Sequence, residues 1–536
     1  MPPHPQPSIN ETDGLFRLHQ GVFLPHMLLH ALDQIHDRPV LYLENGAVLT
    51  GAEVRDVISR YCQAIGSTGV TRGARVGVLS GNRPEVLHVG NACMLNEYVT
   101  VPLHPKGSLD DHIYVAEDAG LDTLIFDPVH FGARAAEIRD RTARIQHLLA
   151  LGPTSLGVDL CALAEHCRPQ PIPAPVLRGD EMFRLSYSGG TTGKPKAIIG
   201  THSYGLAVLT IQLAEWEWPG EVRQLVCAPL SHSGGAVFMP TIMRGGSIVV
   251  LEGFDALKVL QAIEEFRITC ILLVPTMIYA LLDHPQFREF DLSSLEVVFY
   301  GASAMSPARL REGIEKLGPV FFQFYGQAEA PMSVTVLRRD EHDVNDPMRL
   351  ASCGRPVPWV HVALLDDDLR EVPVGQPGEI CVRGPLVMSG YLNKPKQTAE
   401  AFAGGWLHTG DVAVRDADGF FRIVDRKKDM IITGGFNVYP REIEDVLSAH
   451  PAVAQCAVIA VPDAHWGEAV KAVVVLRTGA APCAQDLIAL VREKKGPVQA
   501  PKSVDFIDSI PLTAVGKPDK KLLRARFAAS TRSASE

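Results

Sequence analysis

Apolar positions along this chain recur with two periods that alternate over most of its length. The pairs Leu28-Leu29 and Ala31-Leu32 predict a helix, and Val40 to Leu43, the turn Glu44-Asn45-Gly46 and Ala47 to Leu49 predict a hairpin. Thr50 is placed to cap a helix whose inner face is Val54, Ile58, Tyr61 and Cys62. Short apolar runs follow at Arg75–Leu79, Val99–Leu103 and Thr123–Phe126, with Asn82-Arg83-Pro84-Glu85 opening a helix between the first two. Beyond the Pro-rich boundary Pro171–Pro175 the alternation resumes: a helix over 203–215, strands at Gln224–Ala228 and Ser247–Leu251, and a helix to about Met243 between them. Two later strands, Leu295–Tyr300 and Phe321–Phe324, run straight into the small-residue turns Gly301-Ala302-Ser303-Ala304 and Tyr325-Gly326-Gln327-Ala328-Glu329. Strands and helices in alternation predict an α/β fold with mainly parallel sheets, in which ligands gather at the carboxyl ends of strands.

From about residue 352 the texture changes to short strands and tight turns, such as Glu379–Arg383 and Phe420–Val424, which predicts a small β-rich subdomain. The charged run Asp425-Arg426-Lys427-Lys428-Asp429 suits a solvated hinge. After it come a helix at Arg441–Leu447, strands at Val453–Val461 and Ala469–Leu476, and a helix at Ala484–Glu493. The division expected is a disordered lead-in (1–13), an N-terminal domain (14–425, with 352–425 as its β-rich part), a hinge (426–429) and a mobile α+β C-terminal domain (430–536).

A length of 536 residues fits two or more domains. An apolar fraction of 46% with 21% charged residues is a soluble globular profile. The start Met1-Pro2-Pro3 has no basic, apolar leader, and the longest apolar run, Ile268–Leu282, is too short for a membrane span and is broken by Pro275. A cytoplasmic protein without an integral membrane segment is expected, with homodimerisation left open. Ten cysteines with no Cys-x-x-Cys read as free thiols, and the histidines have no metalloprotease spacing. From Arg426 onward 16 basic residues face 12 acidic ones, against 35 and 49 in the remainder, so the C-terminal part is the one suited to an anionic partner. Without Arg/aromatic patterning that partner is not a nucleic acid.

The densest chemistry lies in Ser186-Tyr-Ser-Gly-Gly-Thr-Thr-Gly-Lys-Pro-Lys196, with three glycines, four Ser or Thr hydroxyls and two lysines. Glycines let backbone N–H groups converge on an anion, and hydroxyls and ammonium groups add donors, so a phosphate cradle is one reading and a Gly-rich surface hairpin the other. It is not a P-loop: only three residues separate Gly189 from Gly193, and Pro195 stands where the magnesium-binding hydroxyl belongs.

The segment resembles the phosphate loop of the adenylate-forming superfamily, which includes acyl-CoA synthetases, luciferases and peptide-synthetase adenylation domains. The departure is Gly189, where that family usually has Ser. Further stretches resemble the family in its own order. Tyr325-Gly-Gln-Ala-Glu329 is similar to Tyr-Gly-x-Thr-Glu with Ala328 in place of Thr; as a plain sequence it also reads as a Glu at a helix cap. Gly405-Trp-Leu-His-Thr-Gly-Asp411 is similar to the signature whose Asp takes both ribose hydroxyls, and Arg426 falls where the family has a ribose- or phosphate-contacting Arg. Gly434-Gly435-Phe-Asn-Val-Tyr-Pro440 is similar to the segment that meets CoA, Lys428 falls at the hinge position, and Pro511-Leu-Thr-Ala-Val-Gly-Lys517 matches the motif ending in the catalytic Lys.

What the resemblance implies is an ATP-dependent acid–CoA ligase that uses Mg²⁺. The carboxylate attacks the α-phosphate, pyrophosphate leaves, and the acyl group of the acyl-AMP passes to the thiol of coenzyme A. Ser188, Gly189, Gly190, Thr191, Thr192, Gly193 and Lys196 would hold phosphates, and Glu329 with Thr191 the metal. Gly301, Ala302, Ser303, Tyr325, Gly326, Gln327, Ala328, Asp411 and Arg426 would line the nucleotide site. Lys517 would bridge carboxylate and α-phosphate; Gly434 and Gly435 would meet CoA after rotation about Lys428. The acid pocket would include His232, Gly234, Val237 and Met332, small or apolar enough for a fatty or aromatic acid, with no basic residue placed for a second carboxylate. Loading of a carrier-protein phosphopantetheine is the alternative. Luciferase-like oxygenation and a non-catalytic nucleotide-binding role rank below it.

Overall fold

The computed structural model describes residues 21–43, 46–187, 194–427, 429–433, 436–463, 466–477, 479–513 and 517–532. Among these the strands form four sheets, of nine, seven, four and five strands. The nine-stranded sheet is parallel through its centre. Leu41 pairs with Ile248, Arg223 with Ser247, Gln224 with Cys270, Cys270 with Val297 and Val298 with Phe321. Strands Ser247–Val250, Cys270–Leu273 and Val297–Tyr300 are buried at every position, which is why their sequences are apolar apart from Ser247. One edge turns antiparallel where Phe321–Gln327 folds back on Ala330–Leu337. The seven-stranded sheet is parallel from Val158–Asp159 through Arg75–Leu79 to Met182–Tyr187, and closes with the antiparallel strand Ala197–Thr201.

Helices cover these sheets. Thr50 caps the helix Gly51–Ser67 as expected, its hydroxyl accepting from Glu53 N–H and the Glu53 carboxylate accepting in return from Thr50 N–H; such a cap contributes about 1 kcal/mol. An aromatic stack in the largest core joins Trp216, at the end of the helix His202–Glu215, to Phe299 and Phe324 of the two strands that end in the small-residue turns, at 4.7 and 5.0 Å between ring centroids. Phe299 and Trp216 therefore fix where both turns emerge.

The four-stranded sheet is antiparallel, from His361–Leu365, Pro377–Arg383, Leu407–Arg415 and Phe421–Arg426. The five-stranded sheet is built on the long hairpin Val453–Asp463 and Gly467–Leu476, with Ser503–Phe506 added in parallel. The helices Pro440–Ser448 and Ala484–Lys495 match expectation; the strand Ser503–Phe506 and the helix Lys520–Arg532 were not foreseen. This last sheet meets the rest of the molecule through polar contacts: Arg441 N–H donates to the Asp425 carboxylate at 3.1 Å, Arg422 pairs with Glu442 at 3.6 Å and Arg477 with Asp283 at 3.6 Å. No helix among the described residues is long and apolar enough to cross a membrane.

Candidate functional site

The strands flanking the Gly-rich motif pair antiparallel, with Tyr187 opposite Ala197. Ser188, Gly189, Gly190, Thr191, Thr192 and Gly193 lie outside the described residues. The base of the motif is held on both sides. Tyr187 donates to Asp118 at 3.0 Å, Lys394 pairs with the same carboxylate at 2.7 Å, and Tyr114 donates to the Pro195 carbonyl at 3.0 Å. The Lys196 ammonium lies 4.0 Å from the centroid of the Tyr391 ring, and the Tyr391 hydroxyl donates to Glu329 Oε1 at 2.9 Å. One aromatic side chain thus joins the lysine of the phosphate motif to the carboxylate expected to carry the metal. Glu329 sits in the hairpin turn between Gln327 and Ala330, so the helix-cap reading is excluded. It is 9% exposed, and its second oxygen has no protein partner among the described residues, an arrangement that fits a hard divalent cation.

Tyr325, Asp411 and Arg426 come together as the motifs imply. Asp411 accepts from the Tyr325 hydroxyl at 2.8 Å through Oδ2 and pairs with Arg426 Nε at 2.9 Å through Oδ1. Asp411 and Arg426 are cross-strand partners, so β-sheet register alone sets this pair opposite each other. Asp411 raises the pKa of Arg426 further, and burial raises that of Tyr325. Behind Asp411, Glu379 accepts from Gly410 N–H at 2.9 Å, and its other oxygen is 3.1 Å from His408 Nδ1. Cys381, its thiol pushed up to about 12 by burial, lies 3.4 Å from the same nitrogen. These three are the one group among the described residues with metal-ligand proximity. Their existing contacts brace the strand at Thr409-Gly410-Asp411.

The small-residue turns need their small residues. A Cβ on Gly301 would stand 2.4 Å from the Phe324 carbonyl oxygen, and one on Gly326 would stand 2.4 Å from Met332 N. Ala302 and Met332 hold left-handed backbone, at φ 65° and 64°. Ser303, Gln327 and Ala328 are partly buried, and the Ala328 carbonyl accepts from the Tyr204 hydroxyl at 3.2 Å. In the expected acid pocket, Met332 Sδ is met by Gln212 Nε2 at 3.5 Å, a buried polar group that sequence reading missed. Val237 is 1% exposed and packs into the core, and Gly234 fits only without a Cβ, since one would lie 2.2 Å from the Ala228 carbonyl oxygen. His232 stacks edge-on against His104 at 4.5 Å with Nδ1 2.8 Å from Ser231 Oγ; burial first, then His104 and Arg184, lower its pKa to about 3, so it is neutral at pH 7. Arg184, whose Nη2 donates to the Ser231 carbonyl at 2.8 Å beside His232, is the second missed residue. Tyr391 is the third; nothing local marks it, because its partners come from two distant motifs.

Lys428, Gly434 and Gly435 lie outside the described residues. Lys517 pairs with Thr513: its N–H donates to Thr513 Oγ1 at 3.2 Å and its carbonyl accepts from Thr513 N–H at 2.7 Å. Lys520, three residues further on, is engaged by Glu444 at 2.8 Å.

Residues 29–392 match the AMP-binding enzyme family and residues 442–517 the AMP-binding enzyme C-terminal domain. The chain is 52% identical over 515 residues to the medium/long-chain-fatty-acid–CoA ligase FadD8 of Mycobacterium tuberculosis, covering 94% of this chain and 90% of that one. It is 37% identical over 484 residues to a feruloyl-CoA synthase of Amycolatopsis, covering 90% and 94%. Among solved structures, the amide bond synthetase McbA of Marinactinospora thermotolerans superposes with a TM-score of 0.86 at 34% identity, covering 94% of this chain and 99% of that one. With Tyr325, Asp411 and Arg426 joined on one face and Glu329 tied to the phosphate motif, this chain belongs to the AMP-binding enzyme family, the adenylate-forming enzymes that include the acyl-CoA ligases.

Proposed function

We propose that the protein activates a hydrophobic monocarboxylic acid, fatty or aryl-alkenoic, as its acyl-adenylate and transfers the acyl group to coenzyme A. The observation that carries this reading is Asp411, a buried carboxylate held on one rung by Arg426 and from behind by Tyr325. An ionised carboxylate only accepts hydrogen bonds, which suits the vicinal hydroxyls of a ribose.

Residues 188–193 and Lys196 grip the β- and γ-phosphates. One acid oxygen bonds to the α-phosphorus while the bond from that phosphorus to the bridging oxygen breaks and pyrophosphate departs. Negative charge crowds at this point, so fixed donors do the work rather than a proton-transfer pair. Lys517 neutralises the acid and the α-phosphate together. Magnesium, when bound, would supply positive charge to the phosphates, and Glu329 with Thr191 are the residues that would hold it. The CoA sulfur then attacks the acyl carbon and AMP leaves; Lys428 is the pivot that exchanges Lys517 for Gly434 and Gly435, within a domain division at 426–429.

Purified protein with ATP, Mg²⁺ and a panel of acids tests the reading. Pyrophosphate release that depends on a medium- or long-chain fatty acid or a hydroxycinnamic acid supports it, and release with none of the acids overturns it. Adding CoA, a phosphopantetheinyl carrier protein or an amine to the loaded enzyme then identifies the acceptor.

A further inference from the structure

Arg184 is a cation without a carboxylate partner among the described residues. It stands mid-strand in Met182–Tyr187, three residues before the strand ends and on the same face as Ser186, to whose hydroxyl its Nε donates at 3.1 Å. Nη2 donates to the Ser231 carbonyl at 2.8 Å, immediately before His232. The guanidinium has five N–H donors, and these two contacts use two of them. No carboxylate among the described residues pairs with it, although 61 acidic residues are present in the chain and Arg426 of the same candidate site is paired with Asp411. Burial lowers its pKa, with Tyr204 the one group that opposes the effect. Tyr204 in turn reaches the Ala328 carbonyl beside Glu329, and His232, neutral, lies on the other side. The side chain is partly buried rather than sealed.

A desolvated charge is costly unless a partner arrives. Apart from ATP and CoA, the anion that enters this cleft is the acid itself. We propose that Arg184 is a carboxylate-binding residue of the acid site, held by Ser186 and Ser231 so that its remaining N–H donors receive the carboxylate of the incoming substrate. This rests on the acid-activating reading above but concerns a residue that reading does not use. The carboxylate has two sources, the reacting group of a monocarboxylic acid or the distal group of a dicarboxylic one.

The test compares Arg184→Met and Arg184→Lys with the intact protein. Direct binding of dodecanoic acid and of its methyl ester, followed by calorimetry without ATP, reads the grip independently of catalysis. The intact protein should prefer the acid over the ester, and Arg184→Met should lose that preference, with the KM for acid rising about 10- to 100-fold, the scale of one hydrogen-bonded charge pair. Arg184→Lys should recover part of it. The KM for ATP and thioester formation from a supplied acyl-adenylate, whose carboxylate is already tied up in the mixed anhydride, should stay within about twofold. A loss confined to dicarboxylic acids assigns the residue to the distal group and still supports carboxylate binding. An unchanged acid-over-ester preference in Arg184→Met overturns the proposal, as does an equal loss in both half-reactions. If no acid is activated by the intact protein, the functional reading fails first, and the binding experiment still decides on Arg184.

Discussion

Tyr391 offers a direct way to test whether Glu329 and Lys196 work as one unit. Its hydroxyl and its ring serve different partners, so two substitutions separate them. Tyr391→Phe keeps the ring face 4.0 Å from Lys196 and removes the 2.9 Å hydrogen bond to Glu329. Tyr391 is 7% and Glu329 9% exposed, so solvent does not replace the lost donor fully. A hydrogen bond to a buried charge is worth about 1.5–3 kcal/mol, which corresponds to roughly 10- to 100-fold in the productive orientation of the carboxylate. Tyr391→Leu loses the cation–π contact as well, adding about 0.5–2 kcal/mol that should fall on the phosphate grip. We expect Tyr391→Phe to need a higher magnesium concentration for half-maximal pyrophosphate release while the KM for ATP changes little. Tyr391→Leu should raise both. Calorimetric titration of the protein with ATP at fixed and varied magnesium gives the same comparison without turnover. If Tyr391→Phe showed the magnesium dependence of the intact enzyme, the idea that this hydroxyl orients Glu329 would be wrong.

Replacing Asp411 by Asn keeps the shape but removes the charge that Arg426 and Tyr325 surround, and we expect ATP binding to weaken by about 10-fold or more, measured by calorimetry. Lys517→Ala should lower acid-dependent pyrophosphate release by about 10²–10³-fold yet leave conversion of a supplied acyl-adenylate to thioester near normal; equal loss in both steps would contradict an exchange of roles about Lys428. Asp425 has its pKa raised from 3.8 to about 6, by burial above all, against the pull of Lys520. A carboxyl that holds its proton more tightly when folded stabilises the fold below pH 4 and loses that contribution as pH rises through 6, here about 3 kcal/mol in all. Asp425→Asn should therefore flatten this part of the stability-against-pH curve between pH 4 and 6 in urea unfolding, and an unchanged slope would exclude Asp425 as its source.

Much of the site is readable in the linear sequence because each motif carries its own backbone demand. Gly301 and Gly326 are there since a neighbouring carbonyl or amide occupies the space of a Cβ, and such needs leave local traces. Asp411 and Arg426 are likewise legible, being rungs of one hairpin. Arg184 and Tyr391 are not. Arg184 reads as one polar position in a strand, and its meaning comes from Ser231, brought to it by a different sheet. Tyr391 sits outside any motif considered, and only the fold sets it between Lys196 and Glu329. The same holds for Ser503–Phe506, whose mixed sequence becomes a strand by pairing with Lys471–Val474. Periodicity reports what one segment buries, while side chains that serve two segments need tertiary structure to be seen.

The rung formed by Asp411 and Arg426 also acts as an anchor for whatever follows it. Lys427 N–H donates to the Gly410 carbonyl at 2.8 Å, and Asp429 N–H to the Arg426 carbonyl at 2.9 Å. The backbone is thus pinned to the strand Leu407–Arg415 up to the very residue before Lys428. A swivel that begins at Lys428 would turn on a fixed post, and a bound nucleotide, by holding Asp411, would stiffen that post rather than the part that turns. Ligand and pivot would then share one hairpin, so AMP could stay seated while the chain beyond it changes position.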